Sequence, residues 1–219
     1  MQDPSLGYPA TLEIDYPDRS LNRETTAFRL LTVIPIMIIV TLVTGFTDIN
    51  SGKVAVESGA FIFLATALML LFRRKYPRWW FDWNLALARF SARVSAYLLL
   101  LRDEYPSTEE EQAVHLEIRY PDAAHELNRW LPLIKWFLAI PHYFVLLFLC
   151  IGVVFCVVIA WFAIMLTGRY PRSLFDIVVG VLRWSLRVEA YAFLLTTDRY
   201  PPFSLYAEES ETGGSSPGG

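Results

Sequence analysis

The sequence predicts an α-helical integral membrane protein: four transmembrane helices in two parallel-repeat hairpins, with amphipathic interfacial helices and a small cytoplasmic β-sheet. Three observations carry this. The 219 residues are 54% hydrophobic and 15% aromatic, above the ~45–50% apolar share of ordinary soluble chains, and the excess falls in blocks. Lys and Arg crowd the same ends of those blocks. An ordered set of rare residues occurs twice along the chain.

The first block, Leu30 to Ile49, is about 20 residues long and matches the ~30 Å hydrocarbon core at 1.5 Å per residue. A second apolar run, about Val54 to Phe72, follows the Asn50-Ser51-Gly52 turn and completes a hairpin (30–72). The third block, Leu131 to Thr167, is too long for one ordinary span. A tight turn at Ile151-Gly152 would divide it into Leu131–Cys150 and Val153–Thr167, and a re-entrant hairpin is the alternative. Arg19, Arg23 and Arg29 precede the first span, and Arg73, Arg74, Lys75 and Arg78 follow the second. Arg129 and Lys135 flank the third, and Arg169 and Arg172 follow the fourth, whereas the opposite loops hold only Lys53. The positive-inside bias then places a multi-pass protein in the cell membrane with both termini cytoplasmic. No apolar signal region occurs in residues 1–29, so the first span is read as retained.

The duplication is detailed. Leu12-Glu13-Ile14-Asp15-Tyr16-Pro17-Asp18 returns as Leu116-Glu117-Ile118-Arg119-Tyr120-Pro121-Asp122, and Leu21-Asn22-Arg23 as Leu127-Asn128-Arg129. Ile34-Pro35 returns as Ile140-Pro141, and Tyr76-Pro77-Arg78 as Tyr170-Pro171-Arg172. Each half closes on Asp-x-Tyr-Pro, at Asp103 and Asp198. The chain therefore divides into an N-terminal tail (1–11), a first repeat (12–107), an acidic linker (108–113), a second repeat (114–205) and a polar Gly/Ser-rich tail (206–219). Both repeats run in one order, so their axis lies along the membrane normal, as in parallel repeats.

Val114, Leu116, Ile118 and Tyr120 alternate with polar residues, the period of a half-buried strand. Leu12–Tyr16 matches it, and Tyr97–Leu101 and Tyr191–Leu195 are expected to add strands to a joint sheet unless helix continues through them. Amphipathic helices follow each Tyr-Pro-Arg, the first opening on a Trp-rich headgroup-level belt. On their faces recur Asp82, Arg89 and Arg93, and Asp176, Arg183 and Arg187. These six are either an ion-pair network or a clamp for anionic lipid headgroups. Lys135 and His142 are ionisable residues inside a predicted span and mark a candidate intramembrane polar site. Snorkelling of Lys135 and a neutral hydrogen-bonded imidazole are the plain alternatives.

Asn128-Arg129-Trp130, Ile140-Pro141-His142-Tyr143, Thr167-Gly168-Arg169-Tyr170-Pro171, the Arg183 to Tyr191 run and Tyr200-Pro201-Pro202-Phe203 carry a resemblance. In them the chain resembles a family of uncharacterised bacterial membrane proteins, domain of unknown function 4389, present as two tandem copies. The first half departs from the pattern: Ile36-Met37 stands for the His-Tyr, and Arg74-Lys75 for the Gly-Arg. The resemblance implies architecture and brings no activity.

No catalytic residue, metal site or cofactor is expected, since nucleotide, hydrolase and zinc-protease motifs are missing. Nucleic acid is excluded as a partner because the basic residues hug the spans. The expected function is a non-enzymatic scaffold or accessory subunit that organises partners or anionic lipids at the cytoplasmic leaflet, with a membrane-protein partner or a homo-oligomer implied. A small transporter or channel component with a site near His142 is the alternative, and a lipid-modifying enzyme is third.

Overall fold

Alternating apolar residues make a strand pair the hub of the fold. The computed structural model describes residues 7–36, 38, 57–108, 110, 112–123 and 126–206. Strands β1 (Ala10–Ile14) and β2 (Val114–Ile118) bury every second side chain and expose Thr11, Glu13, His115 and Glu117. They pair antiparallel, with Leu12 opposite Leu116 and Ala10 opposite Ile118. Leu12 and Leu116 hold the same place in the two matching heptapeptides, so a local two-fold axis passes between them.

The helices in chain order are α1 (Arg23–Thr32), α2 (Glu57–Arg73), α3 (Arg78–Leu98), α4 (Pro132–Leu138), α5 (Ile140–Thr167) and α6 (Arg172–Ala192). Pro77 and Pro171 stand just before α3 and α6 with φ of −61° and −62°. There proline's missing N–H costs nothing, because the first-turn donors have no helical partner. The strands pack crosswise: α3 lies against β2 and α6 against β1. Arg89 Nε accordingly donates to the Leu116 carbonyl (2.9 Å) and Arg183 Nε to that of Leu12 (3.0 Å). The Tyr16 hydroxyl bonds the Tyr170 carbonyl and the Tyr120 hydroxyl that of Tyr76. Each strand is therefore fixed to the helix of the opposite half, and for β1 the exchange ties residues 154 and 171 positions apart.

Three expectations need correction. The third apolar block does not turn at Ile151-Gly152, and Leu131–Thr167 is not a hairpin of two spans. Residues 140–167 form one helix of 28 residues. A lone glycine costs a helix only about 1 kcal/mol, and a Cβ added at Gly152 would stand in open space, so no close approach requires glycine there. The break falls earlier, at Ala139, where Pro141 takes its place in the first turn of α5. Helix is not continuous from Leu30 through the first apolar block: α1 runs to Thr32, a turn follows at Val33, and helix resumes over residues 34–36. Most of the expected first span lies outside the described residues, while α2 falls where the second apolar run was expected. Tyr97–Leu101 and Tyr191–Leu195 are not strands. Helix continues to Leu98 and Ala192, because these Leu-rich runs lack a polar alternate face. Leu100 and Leu195 then turn the chain at φ of 65° and 56°.

The elements stack in layers: the sheet, then α3 and α6, then α5 over α6. Helix α5 buries one stripe, His142, Val153, Ala160 and Ile164, and leaves the rest of its surface apolar and exposed. Among the described residues it alone is long and apolar enough to cross a membrane. The C-terminal strap, Phe203 to Tyr206, crosses α6 at Gly180, where an added Cβ would stand 2.9 Å from Leu205 Cβ and 3.0 Å from its carbonyl oxygen. Gly180→Ala should therefore lower stability by about 1–3 kcal/mol through overpacking. Chemical denaturation in detergent measures it, and the control Ala86→Gly, at the matching site of α3, should cost no more than about 1 kcal/mol.

Candidate functional site

Two aspartates organise the junction of each half. Asp198 Oδ2 accepts the Asn128 N–H (2.6 Å), and Asp103 Oδ2 accepts that of Asn22 (2.7 Å). Their other oxygens face a buried cation: Lys135 Nζ lies 2.6 Å from Asp198 Oδ1, and Arg29 pairs with Asp103. Lys135 and Arg29 are almost fully buried and also donate to main-chain carbonyls, Lys135 to Thr197 (2.7 Å) and Arg29 to Tyr97 and Arg102. Each sits over a tyrosine ring, Lys135 over Tyr191 and Arg29 over Tyr97. Desolvation of Lys135 pulls its ammonium below the usual lysine range, and Asp198 opposes that pull. Sequence reasoning found Lys135 and missed its partner Asp198, as it missed the Arg29–Asp103 pair. The signal was present, since Asp-x-Tyr-Pro closes both halves.

The six residues singled out on the amphipathic helices divide. Asp82 and Asp176 are exposed and pair with none of the four arginines. The arginines bond carbonyls. Besides the strand contacts of Arg89 and Arg183, Arg93 holds Ser107 O (2.7 Å) and Arg187 holds Ser204 O (3.2 Å) and Tyr206 O (2.8 Å). A planar guanidinium with five donors suits such main-chain fastening. These four arginines fasten strands and straps, and the acids stand apart from them.

His142 is fully buried in an aromatic box. Its Nδ1 accepts the Trp184 indole N–H (3.1 Å), Phe203 stacks on it at 4.0 Å, and Tyr200 lies at 4.8 Å. Indole only donates, so the imidazole proton sits on Nε2, which has no partner among the described residues. In the first half Ile36 and Phe90 occupy the matching places. Lys135 and His142, joined in sequence reasoning as one polar site, have separate partners.

A basic cavity of about 620 Å³ opens where α2 turns into α3. Arg73, Arg74, Lys75 and Arg78 line it, against one carboxylate, Asp122. Arg74 closes α2 with φ of 48°, where the second half uses Gly168 at 72°. Arg78 leans on the Tyr120 ring (4.3 Å). Phe72 and Trp79, next in sequence to Arg73 and Arg78, are exposed. Among the described residues no cluster of His, Cys, Asp and Glu is disposed to hold a metal ion.

Neither the curated proteins nor the solved structures offer a match to this chain. Residues 130–204 match a family described as a domain of unknown function, DUF4389, and these residues include α4, α5, α6, Lys135, His142, Trp184 and Asp198.

Proposed function

We propose that this is a non-enzymatic membrane protein that rests on the cytoplasmic leaflet and gathers anionic lipid headgroups there, as a scaffold for membrane partners. The cavity of Arg73, Arg74, Lys75 and Arg78 carries the proposal. Four cations facing one carboxylate, beside exposed Trp79, form a surface suited to phosphate held at the level of an apolar boundary. The matching contacts of the two halves support a tandem duplication of the same domain.

The layered body supports a definite placement. Both ends of α5 meet the same folded unit: Tyr200 bonds Leu138 O beside its start, and Leu21 N–H bonds Gly168 O at its end. An α5 perpendicular to the bilayer would carry Glu13 and Glu117 of the attached sheet to mid-membrane depth, which is costly for charges. Lying in the leaflet, about 42 Å long, it puts its exposed Phe148, Phe155 and Phe162 in hydrocarbon and the sheet's polar face in water. Both termini are then cytoplasmic, and only the first-half segment between α1 and α3 is left to cross.

The test is pelleting with vesicles of phosphatidylglycerol in phosphatidylcholine, or retention of lipid in detergent read by native mass spectrometry. Wild type should retain phosphatidylglycerol at least tenfold better than Arg74→Glu/Lys75→Glu, with phosphatidylcholine unaffected. Equal retention by the charge-reversed variant would remove the lipid role.

A further inference from the structure

A second cavity, of about 440 Å³, lies between α3 and α6 under the first turns of α5. Its volume is in the range of small-molecule sites. Leu87, Ala88, Leu146, Val188, Phe193 and Leu194 make its walls apolar. Five polar residues line it from three helices: Asn84 and Ser91 from α3, Tyr143 from α5, and Ser185 and Glu189 from α6. Asn84 is 3% exposed, and its amide donates to Trp80 O (2.8 Å) while Oδ1 has no partner. The Tyr143 hydroxyl is buried and, like the Asn84 Oδ1, has no partner among the described residues. Such groups are rare in a finished interior, because an unmet buried acceptor costs about 1–3 kcal/mol.

Glu189 sharpens the chemistry. No hydrogen bond or ion pair holds its carboxylate among the described residues. Its side chain is exposed by surface area, while the protein mass packed around it pushes its carboxyl above the usual carboxylate range. Nothing in the matching position of the first half repeats it, since Ser95 stands there. The site is therefore one of a kind on the near-symmetric body, although Ser91 and Ser185, which do match, both line it.

We infer that this cavity binds an amphiphile with an apolar body and a cationic ammonium head, the head meeting Glu189 and the Asn84 Oδ1. The charge supplies the choice. A carboxylate and an amide oxygen accept, an ammonium has three donors and no acceptor, and the mostly apolar walls suit a hydrocarbon body. An ammonium beside Glu189 also restores the charged carboxylate that desolvation disfavours. A fatty acid would set two carboxyls together, and a neutral alcohol would leave the carboxylate without a counter-charge. This site lies on the opposite charge preference from the basic cavity at Arg74, so the two are separable.

Octylammonium, octanoate and octanol share one chain and differ only in the head. Titration calorimetry of full-length protein in one detergent, with all three probes, separates the site from micelle partition, because partition is common to every variant. Wild type should bind octylammonium at least tenfold more tightly than octanoate or octanol. Glu189→Gln, nearly isosteric and relieved of a desolvated charge, should keep the wild-type melting temperature or raise it and lose that preference. Glu189→Lys should invert it in favour of octanoate. Identical isotherms for wild type and Glu189→Gln, or octanoate bound as tightly as octylammonium by wild type, would overturn the assignment. Retention of phosphatidylglycerol should be the same in wild type and Glu189→Gln, which keeps this outcome distinct from that at the basic cavity.

Discussion

Replacing Asp198 by Asn is expected to lower stability by about 3–5 kcal/mol, the cost of leaving a buried charge without its partner. Lys135 has no exposed surface, and Asp198 is the one carboxylate paired with it. Asparagine can still accept the Asn128 N–H, so the loss isolates the charge rather than the turn. Lys135→Met should cost less than Asp198→Asn, because Asp198 keeps a fifth of its side-chain surface and can be solvated where Lys135 cannot. Lys135→Met/Asp198→Leu should recover part of the loss, as buried pairs exchanged whole for apolar residues often do. Denaturant midpoints in a fixed detergent measure all three. A loss below about 1 kcal/mol for Asp198→Asn would mean that water reaches Lys135.

Trp184→Ala is expected to cost a similar amount, about 3–5 kcal/mol, by emptying the space under α5. The indole both fills the box and donates to His142 Nδ1. Trp184→Phe separates these roles, since it keeps most of the volume and leaves the imidazole acceptor unmet, for about 1–3 kcal/mol. His142→Ile/Trp184→Phe installs the pair that the first half already carries, Ile36 and Phe90. The double variant should then be more stable than the sum of the single changes predicts, a coupling that a mutant cycle reads directly. Additive effects would show that the indole–imidazole bond contributes nothing beyond packing.

The parts of the fold set by local pattern were legible in the sequence. Period-two alternation located β1 and β2, and Tyr-Pro-Arg located the starts of α3 and α6. The parts set by distant partners were not. Nothing in Val114–Ile118 says that its hydrogen-bond partner is a strand about a hundred residues earlier, or that Arg89 rather than a nearer group caps it. Gly152 looked like a turn because apolar length alone suggested two crossings. Helix α5 instead spends its excess length lying along α6, a choice made by its buried stripe of His142, Val153, Ala160 and Ile164.

The candidate sites follow the same division. Lys135 and His142 stood out as polar residues in apolar sequence, and both are buried, but their partners Asp198 and Trp184 could be found only in three dimensions. Asp82 and Asp176 share a helical face with arginines two turns on, and the strands claim those arginines first. Lysine and arginine clustering around Arg74 was visible as an orientation signal, whereas its hollow shape was not. Glu189 gave no sign at all, because its meaning depends on Asn84 and Tyr143 arriving from two other helices.

Thiol labelling from each side of the membrane tests the leaflet-resting body most directly. In a background with Cys150 and Cys156 replaced by Ala, Trp130→Cys and Arg169→Cys mark exposed positions near the two ends of the α4–α5 segment. A membrane-impermeant maleimide should label both in inside-out vesicles and neither in intact cells. Labelling of Arg169→Cys from outside, with Trp130→Cys reached only from inside, would show that α5 crosses the bilayer and would contradict the placement.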